Sequence, residues 1–203
     1  MLRRLVLALI PAATLLVAAP AYSAGVVGQK APDFALKNVS GKIVNLSDFK
    51  GKHVVLEWTN PGCPFVKKHY DGGNMPATQK DAAAKGVVWL SINSTAKSSG
   101  DFMEPAKLVA WQKEKQASAT LLMDEEGTAG KAYGARTTPH LYIVNPQGTL
   151  IYAGGIDSIA SASASDIAKA TNYVKTGLAE AVAGKPLTTA TSQPYGCSIK
   201  YKS

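Results

Sequence analysis

Cys63 and Cys197 are the only cysteines in the chain. A thiolate is the nucleophile of both disulfide exchange and peroxide reduction. Cys63 follows the apolar stretch His53 to Trp58 and the loop Thr59-Asn60-Pro61-Gly62, and Pro64 comes directly after it. Proline suits the first turn of a helix. A cysteine at such a boundary meets unpaired N–H groups and the positive end of the helix dipole, which favour the thiolate. Lys67, one helical turn on, either adds a positive charge or stays a solvated surface side chain. His69 lies six residues on, turned away by helix geometry, and no role is expected for it. Glu57 sits six residues before Cys63, inside the apolar stretch. A carboxyl buried there has a raised pKa and is suited to relay protons to a neighbouring thiol; the plainer alternative is an edge-exposed or salt-bridged glutamate. Two cysteines allow one intramolecular bridge.

The elements that must position these residues alternate between strand and helix. Asp33 to Leu36, Lys42 to Leu46 and His53 to Trp58 read as extended, the last as a buried central strand. A helix starts at Pro64, breaks around Asp71-Gly72-Gly73-Asn74 and resumes from about Pro76 to Lys85. Val87 to Asn93 is the next buried strand, with Ser91-Ile92-Asn93-Ser94 as loop support at its end. A helix over about 104–116 precedes the short strand 119–123, and a short helix reaches Tyr133 before Gly134. His140 to Asn145 and Thr149 to Ala153 form a hairpin across Pro146-Gln147-Gly148. A last helix is expected from an N-cap at Ser165 or Asp166 to about Ala183, stopped by Gly184. Residues 187–203 carry no helical period.

Composition sets the bounds. The chain has 203 residues, 46% hydrophobic and 18% charged, which excludes a disordered tail protein and a disulfide-dense mini-scaffold. One domain is the expectation, with no internal repeat. The formal charge is +8, but the lysines are scattered without arginine clusters. A nucleic-acid surface needs a concentrated basic face, so none is expected.

Residues 1–24 read as a secretory signal: Arg3 and Arg4, an apolar run from Leu5 to Ala19, then small residues. Cleavage fits after either Ser23 or Ala24. The expected organisation is thus a signal over 1–24, one α/β domain over 25–184, and a tail over 185–203 carrying Cys197. A periplasmic or otherwise exported chain with no stable membrane anchor after cleavage is expected, in a compartment where thiols meet oxidising conditions.

The order Pro32-Asp33-Phe34, Leu46-Ser47-Asp48-Phe49-Lys50-Gly51-Lys52, strand, Cys63 and Thr138-Pro139 resembles the thioredoxin-fold redoxins of the AhpC/TSA class. It looks closest to a peroxiredoxin-like branch with a Cys-Pro-Phe/Tyr-Val-Lys site and a Gly-Cys-Ser-Ile-Lys-aromatic tail, here Cys63 to Lys67 and Gly196 to Tyr201. The resemblance implies a thioredoxin-like fold: a central mixed β-sheet flanked by helices, ending in a C-terminal helix and an extended tail. Glu57 matches the buried aspartate of thioredoxin. Pro139 matches its cis-proline, which faces the reactive cysteine and shapes a substrate groove from Thr138, Pro139, Thr59, Asn60 and Pro61.

Three departures limit the resemblance. Val66 stands where thioredoxin has its second cysteine, so a Cys-x-x-Cys disulfide is impossible. Asn60 and Leu56 replace the peroxiredoxin threonine and proline upstream of the cysteine, although Thr59 and Pro61 are adjacent. Pro139 occupies the place of the peroxide-binding arginine, and Arg136 is its nearest substitute.

The implied activity is thiol-dependent oxidoreduction. Cys63 would attack a peroxide and be resolved by Cys197, with a thiol protein as reductant. Protein thiol–disulfide exchange is the alternative. A third reading is a non-catalytic binding module in which the cysteines form a permanent bridge, worth roughly 5 kcal/mol in the chain-entropy model, or in which Cys197 pairs with another subunit. No cofactor is expected. A copper or zinc site through Cys63 and His140 is the weaker metal alternative, because no histidine or cysteine pair has local ligand spacing.

Overall fold

The computed structural model describes residues 25–203; the expected signal over 1–24 lies outside the described residues. Strands β1 (Ala35–Asn38), β2 (Ile43–Asn45), β3 (Val54–Trp58), β4 (Val88–Asn93), β5 (Thr120–Met123), β7 (His140–Val144) and β8 (Leu150–Gly154) form one sheet, in the order β2-β1-β5-β4-β3-β7-β8. β6 (Thr137–Thr138) and β9 (Cys197–Ser198) form a second, two-stranded sheet. The central strand β3 is parallel to β4 and antiparallel to β7. Its residues are buried on both faces, which is why its sequence is apolar without alternation.

Helices α1 (Pro64–Asp71), α2 (Asn74–Ala84), α3 (Pro105–Glu114), α4 (Thr128–Tyr133) and α5 (Tyr173–Val182) flank this sheet. Side chains alternate along β3. Val54, Leu56 and Trp58 pack with Leu90, Leu122, Tyr133 and Tyr142 on one side. Val55 joins Cys63, Val66, Tyr70, Met75, Val174 and Leu178 on the other. The break between α1 and α2 comes at Gly72 and Gly73, and Gly73 holds φ at +69°, a conformation that favours glycine. The mixed sheet with flanking helices, C-terminal helix and extended tail is the architecture expected from the sequence. Among the described residues, no helix is long and apolar enough to cross a membrane.

The last helix departs from the expectation. Residues Ala164–Lys169 form a 3-10 turn, and α5 begins only at Tyr173. Asn172 is its N-cap: Oδ1 accepts the Lys175 N–H at 2.9 Å, while Nδ2 donates to Asn74 Oδ1 and Thr78 Oγ1, both at 3.2 Å. The serine-rich stretch before it offers many possible caps, and the side-chain bonds to α2 select this one.

Asn172→Ala should therefore cost about 1–2 kcal/mol, the cap together with the bonds to α2. Urea unfolding with an unchanged slope tests this, and a midpoint equal to that of the parent would contradict it.

Candidate active site

Cys63 is the N-cap of α1, in extended backbone, with Pro64 at the first helical position. Its thiol is 4% exposed and donates to the Thr138 carbonyl at 3.0 Å. The Thr138–Pro139 peptide bond is cis. Thr138 also pairs with Cys197 in the small antiparallel sheet. One residue thus holds both cysteines, and the two side chains meet; both are free thiols.

The pair is electrostatically unequal. Burial pushes the Cys63 thiol up, but hydrogen bonding to Cys197 and to the Thr138 side chain, with the backbone N–H groups of Val66 and Cys197, outweighs it and leaves Cys63 below the ordinary thiol value. The bond donated to the Thr138 carbonyl belongs to the protonated thiol and is given up on ionisation. Burial and the neighbouring Cys63 together push Cys197 up to about 12, with Asp101 acting in the same direction. The arrangement makes Cys63 the more readily ionised of the two thiols.

A cavity of about 300 Å³ opens on this pair, lined by Asn60, Gly62, Thr95, Asp101 and Lys200 besides the cysteines. Asn60 shapes its rim: Nδ2 donates to Thr95 Oγ1 at 2.9 Å and to the Asp101 carbonyl at 3.2 Å, and Oδ1 accepts the Gly62 N–H at 2.8 Å. Thr59 and Pro61 are buried behind it. The Thr59 hydroxyl and Asn93 Nδ2 are buried without a hydrogen-bond partner. Lys67 is exposed, the solvated alternative of its two readings. Arg136 is exposed, and its carbonyl accepts the Ile199 N–H at 3.1 Å.

Glu57 is fully buried, not at an edge. Its carboxylate accepts from Tyr70 Oη at 2.8 Å, Trp89 Nε1 at 2.8 Å, Ser91 Oγ at 3.0 Å and Gln79 Nε2 at 3.3 Å. None of these bonds reaches Cys63. Burial pushes the carboxyl up and the four donors oppose it. The burial effect wins, and the carboxyl lies above its ordinary value.

A second buried polar group, not legible from sequence reasoning, involves the other face of α1. Lys68, His69 and Asp157 are all buried. Lys68 Nζ lies 3.3 Å from Asp157 Oδ2 and donates to the Ile159 carbonyl at 3.0 Å. Tyr195 donates to Asp157 and lies 3.0 Å from His69 Nε2. The helical rotation that turns His69 from Cys63 turns it towards the tail instead. His140 is buried beside Tyr142, with Nδ1 3.3 Å from its hydroxyl. Among the described residues, no group of three His, Cys, Asp or Glu side chains is placed to hold a metal ion.

Comparison with known proteins follows the same outline. Residues 27–153 match the family model described as the AhpC/TSA family. The chain belongs to the AhpC/TSA family. It is 31% identical over 135 residues to peroxiredoxin Bcp of Bacillus subtilis, covering 62% of this chain and 82% of that protein. It is 25% identical over 126 residues to the thiol-disulfide oxidoreductase ResA of the same organism, covering 61% of this chain but only 64% of ResA. The crystal structure of the hypothetical protein SMc02350 from Sinorhizobium meliloti 1021 superposes with a TM-score of 0.75 at 22% identity, over 89% of this chain and 97% of that one. This AhpC/TSA chain is thus a thioredoxin-fold redoxin, similar both to peroxiredoxins and to thiol-disulfide oxidoreductases.

Two measurements follow from the electrostatics. Ultraviolet absorbance of the thiolate should show Cys63 ionising well before Cys197, and Cys197→Ala should raise the Cys63 pKa by removing a donor; an unchanged titration would contradict the coupling.

The second concerns acid stability. Burial holds His69 at about 4 against its ordinary 6.5, with Asp157 raising it and Lys68 lowering it. Burial, aided by Arg136, likewise holds His140 at about 4. Between pH 6.5 and 4 the unfolded chain binds these protons and the folded chain does not. Their contribution is therefore complete above pH 6.5 and is lost as pH falls to about 4, while the raised Glu57 and Asp124 act in the opposite sense. His69→Gln should flatten the decline in this window, and an unchanged slope would contradict the assignment.

Proposed function

We propose that this chain is an exported peroxiredoxin-like thiol oxidoreductase, with Cys63 as nucleophile and Cys197 as resolver. The observation that carries the reading is the meeting of the two cysteines across Thr138 at one cavity, with Cys63 the more readily ionised thiol. The similarity to peroxiredoxin Bcp supports the peroxide chemistry. Export is supported by the charged, apolar and small-residue order of the first 24 residues.

The Cys63 thiolate attacks one oxygen of a peroxide, the O–O bond breaks, and the leaving alkoxide or hydroxide takes a proton. Cys63 is then a sulfenic acid. The Cys197 sulfur attacks the Cys63 sulfur, the S–O bond breaks, and the Cys197 proton leaves with the hydroxide as water. A dithiol protein returns two electrons and two protons by disulfide exchange and regenerates both thiols. No large movement is needed, because Cys197 already lies against Cys63.

Of the expected groove residues, Asn60 and Thr138 line the cavity at the sulfur, while Thr59, Pro61 and Pro139 are buried beside them in the chain. Glu57 acts as a positioning residue: it holds Tyr70 of α1, the helix that Cys63 caps, and does not touch the thiol. A second reading, thiol–disulfide exchange with a protein, is favoured by the Thr138–Pro139 loop beside Cys63 and by the similarity to ResA.

Cys63→Ser should remove all peroxide-dependent turnover while leaving the fold intact; persisting turnover would overturn the proposal. Cys197→Ser should let a sulfenic acid accumulate on Cys63, detected by a sulfenate-specific label, and an unchanged cycle would remove the resolver role. Glu57→Gln should slow resolution and shift its pH profile. A pH profile identical to that of the parent would reduce Glu57 to a structural residue.

A further inference from the structure

The tail that carries Cys197 lies along the edge on which an extended substrate would have to bind. β6 is two residues long, and its partner is β9 of the same chain, with Thr137 opposite Ser198 and Thr138 opposite Cys197. A cysteine on an extended polypeptide can bring its sulfur to Cys63 by pairing with Thr138, and Cys197 occupies that position already. An edge whose backbone groups are taken cannot accept another strand.

The tail is fastened on both sides of this pairing. Before it, Tyr195 donates to Asp157, and its ring packs edge-on against Phe65 at 5.9 Å between centroids. Gly196 has φ +138°, and a Cβ there would collide with the Thr138 carbonyl, so only glycine lets the chain cross at this height. After it, the Ile199 N–H donates to the Arg136 carbonyl at 3.1 Å, and the Lys200 carbonyl accepts the Ala96 N–H at 2.8 Å. Tyr201 closes the far end. Its hydroxyl donates to the Ala135 carbonyl at 2.7 Å, and its ring lies on Gly127 and Gly130, where any side chain would strike it.

We infer that residues 196–201 are a built-in strap that reserves Cys63 for small oxidants and excludes extended peptide and protein disulfides. Small molecules reach the sulfur beside the strap, through the cavity of about 300 Å³ at Asn60, Gly62 and Asp101. A peptide disulfide gains access only when the Tyr201 end lets go. This deepens the proposed function and rests on Cys63 being the reactive thiol.

The test compares two disulfides, so that the chemistry is the same and only the size differs. In each case the Cys63 thiolate attacks one sulfur, the S–S bond breaks, and the other half leaves as a thiolate. The full-length chain with Cys197→Ser is reacted with hydroxyethyl disulfide and with the symmetric disulfide of a linear peptide holding one cysteine. Mixed-disulfide formation on Cys63 is followed by intact mass, with and without Tyr201→Ala.

Tyr201→Ala should raise the peptide rate about tenfold, the effect of shifting an opening equilibrium by one decade. The rate with hydroxyethyl disulfide should stay within about twofold. Tyr201→Phe, which keeps the ring but loses the hydroxyl, should give a smaller gain and guards against misfolding of the alanine variant. Equal gains for both disulfides, or no gain for either, would overturn the inference. A Cys63 inert to both reagents in every variant would instead refute the reading of Cys63 as the reactive thiol, and the inference with it.

Discussion

The placement of Thr138 governs the chemistry of this molecule. Its carbonyl accepts the Cys63 thiol, and its backbone pairs with Cys197. A residue placed between two cysteines brings them together without a covalent link. The sheet supplies the rigidity: Thr138 directly precedes Pro139 and β7, and β7 is hydrogen-bonded to β3, the strand that delivers Cys63. Both halves of the site thus hang from neighbouring central strands.

The unequal environments of the two thiols follow from that placement. Cys63 caps a helix whose N–H groups face it; Cys197 lies on a short strand with no such compensation. Two thiols this close cannot both ionise cheaply, so the proton goes to the sulfur with less support. The thiol of Cys197 is thus itself one of the groups that lower the Cys63 pKa.

Much of the scaffold was legible in the sequence because local signals agreed with the fold. The apolar run around Glu57, the Cys63-Pro64 boundary, the glycine pair after Asp71 and the Pro146-Gln147-Gly148 hairpin turn each carry their own physical cause. The start of α5 was not legible, since Asn172 is chosen over Ser165 and Asp166 by its bonds to Asn74 and Thr78, distant in sequence. Nor was the buried group of Lys68, His69, Asp157 and Tyr195. Charged residues in sequence look solvated, and only tertiary packing shows that they hold the tail. Cys197 was legible as a partner for Cys63 by count and by family resemblance, whereas its pairing with Thr138 depends on a tail whose path has no periodic signal.

The central claim is that Cys63 and Cys197 act as one redox pair already in contact. The most direct measurement is to mix fully reduced protein with one equivalent of hydrogen peroxide and follow the intact mass with time. The account predicts rapid loss of two hydrogens as the intramolecular disulfide forms, without accumulation of an oxygen adduct, and no such loss in Cys63→Ser. A persistent gain of one oxygen, or a reaction no faster than that of a free thiol, would contradict it.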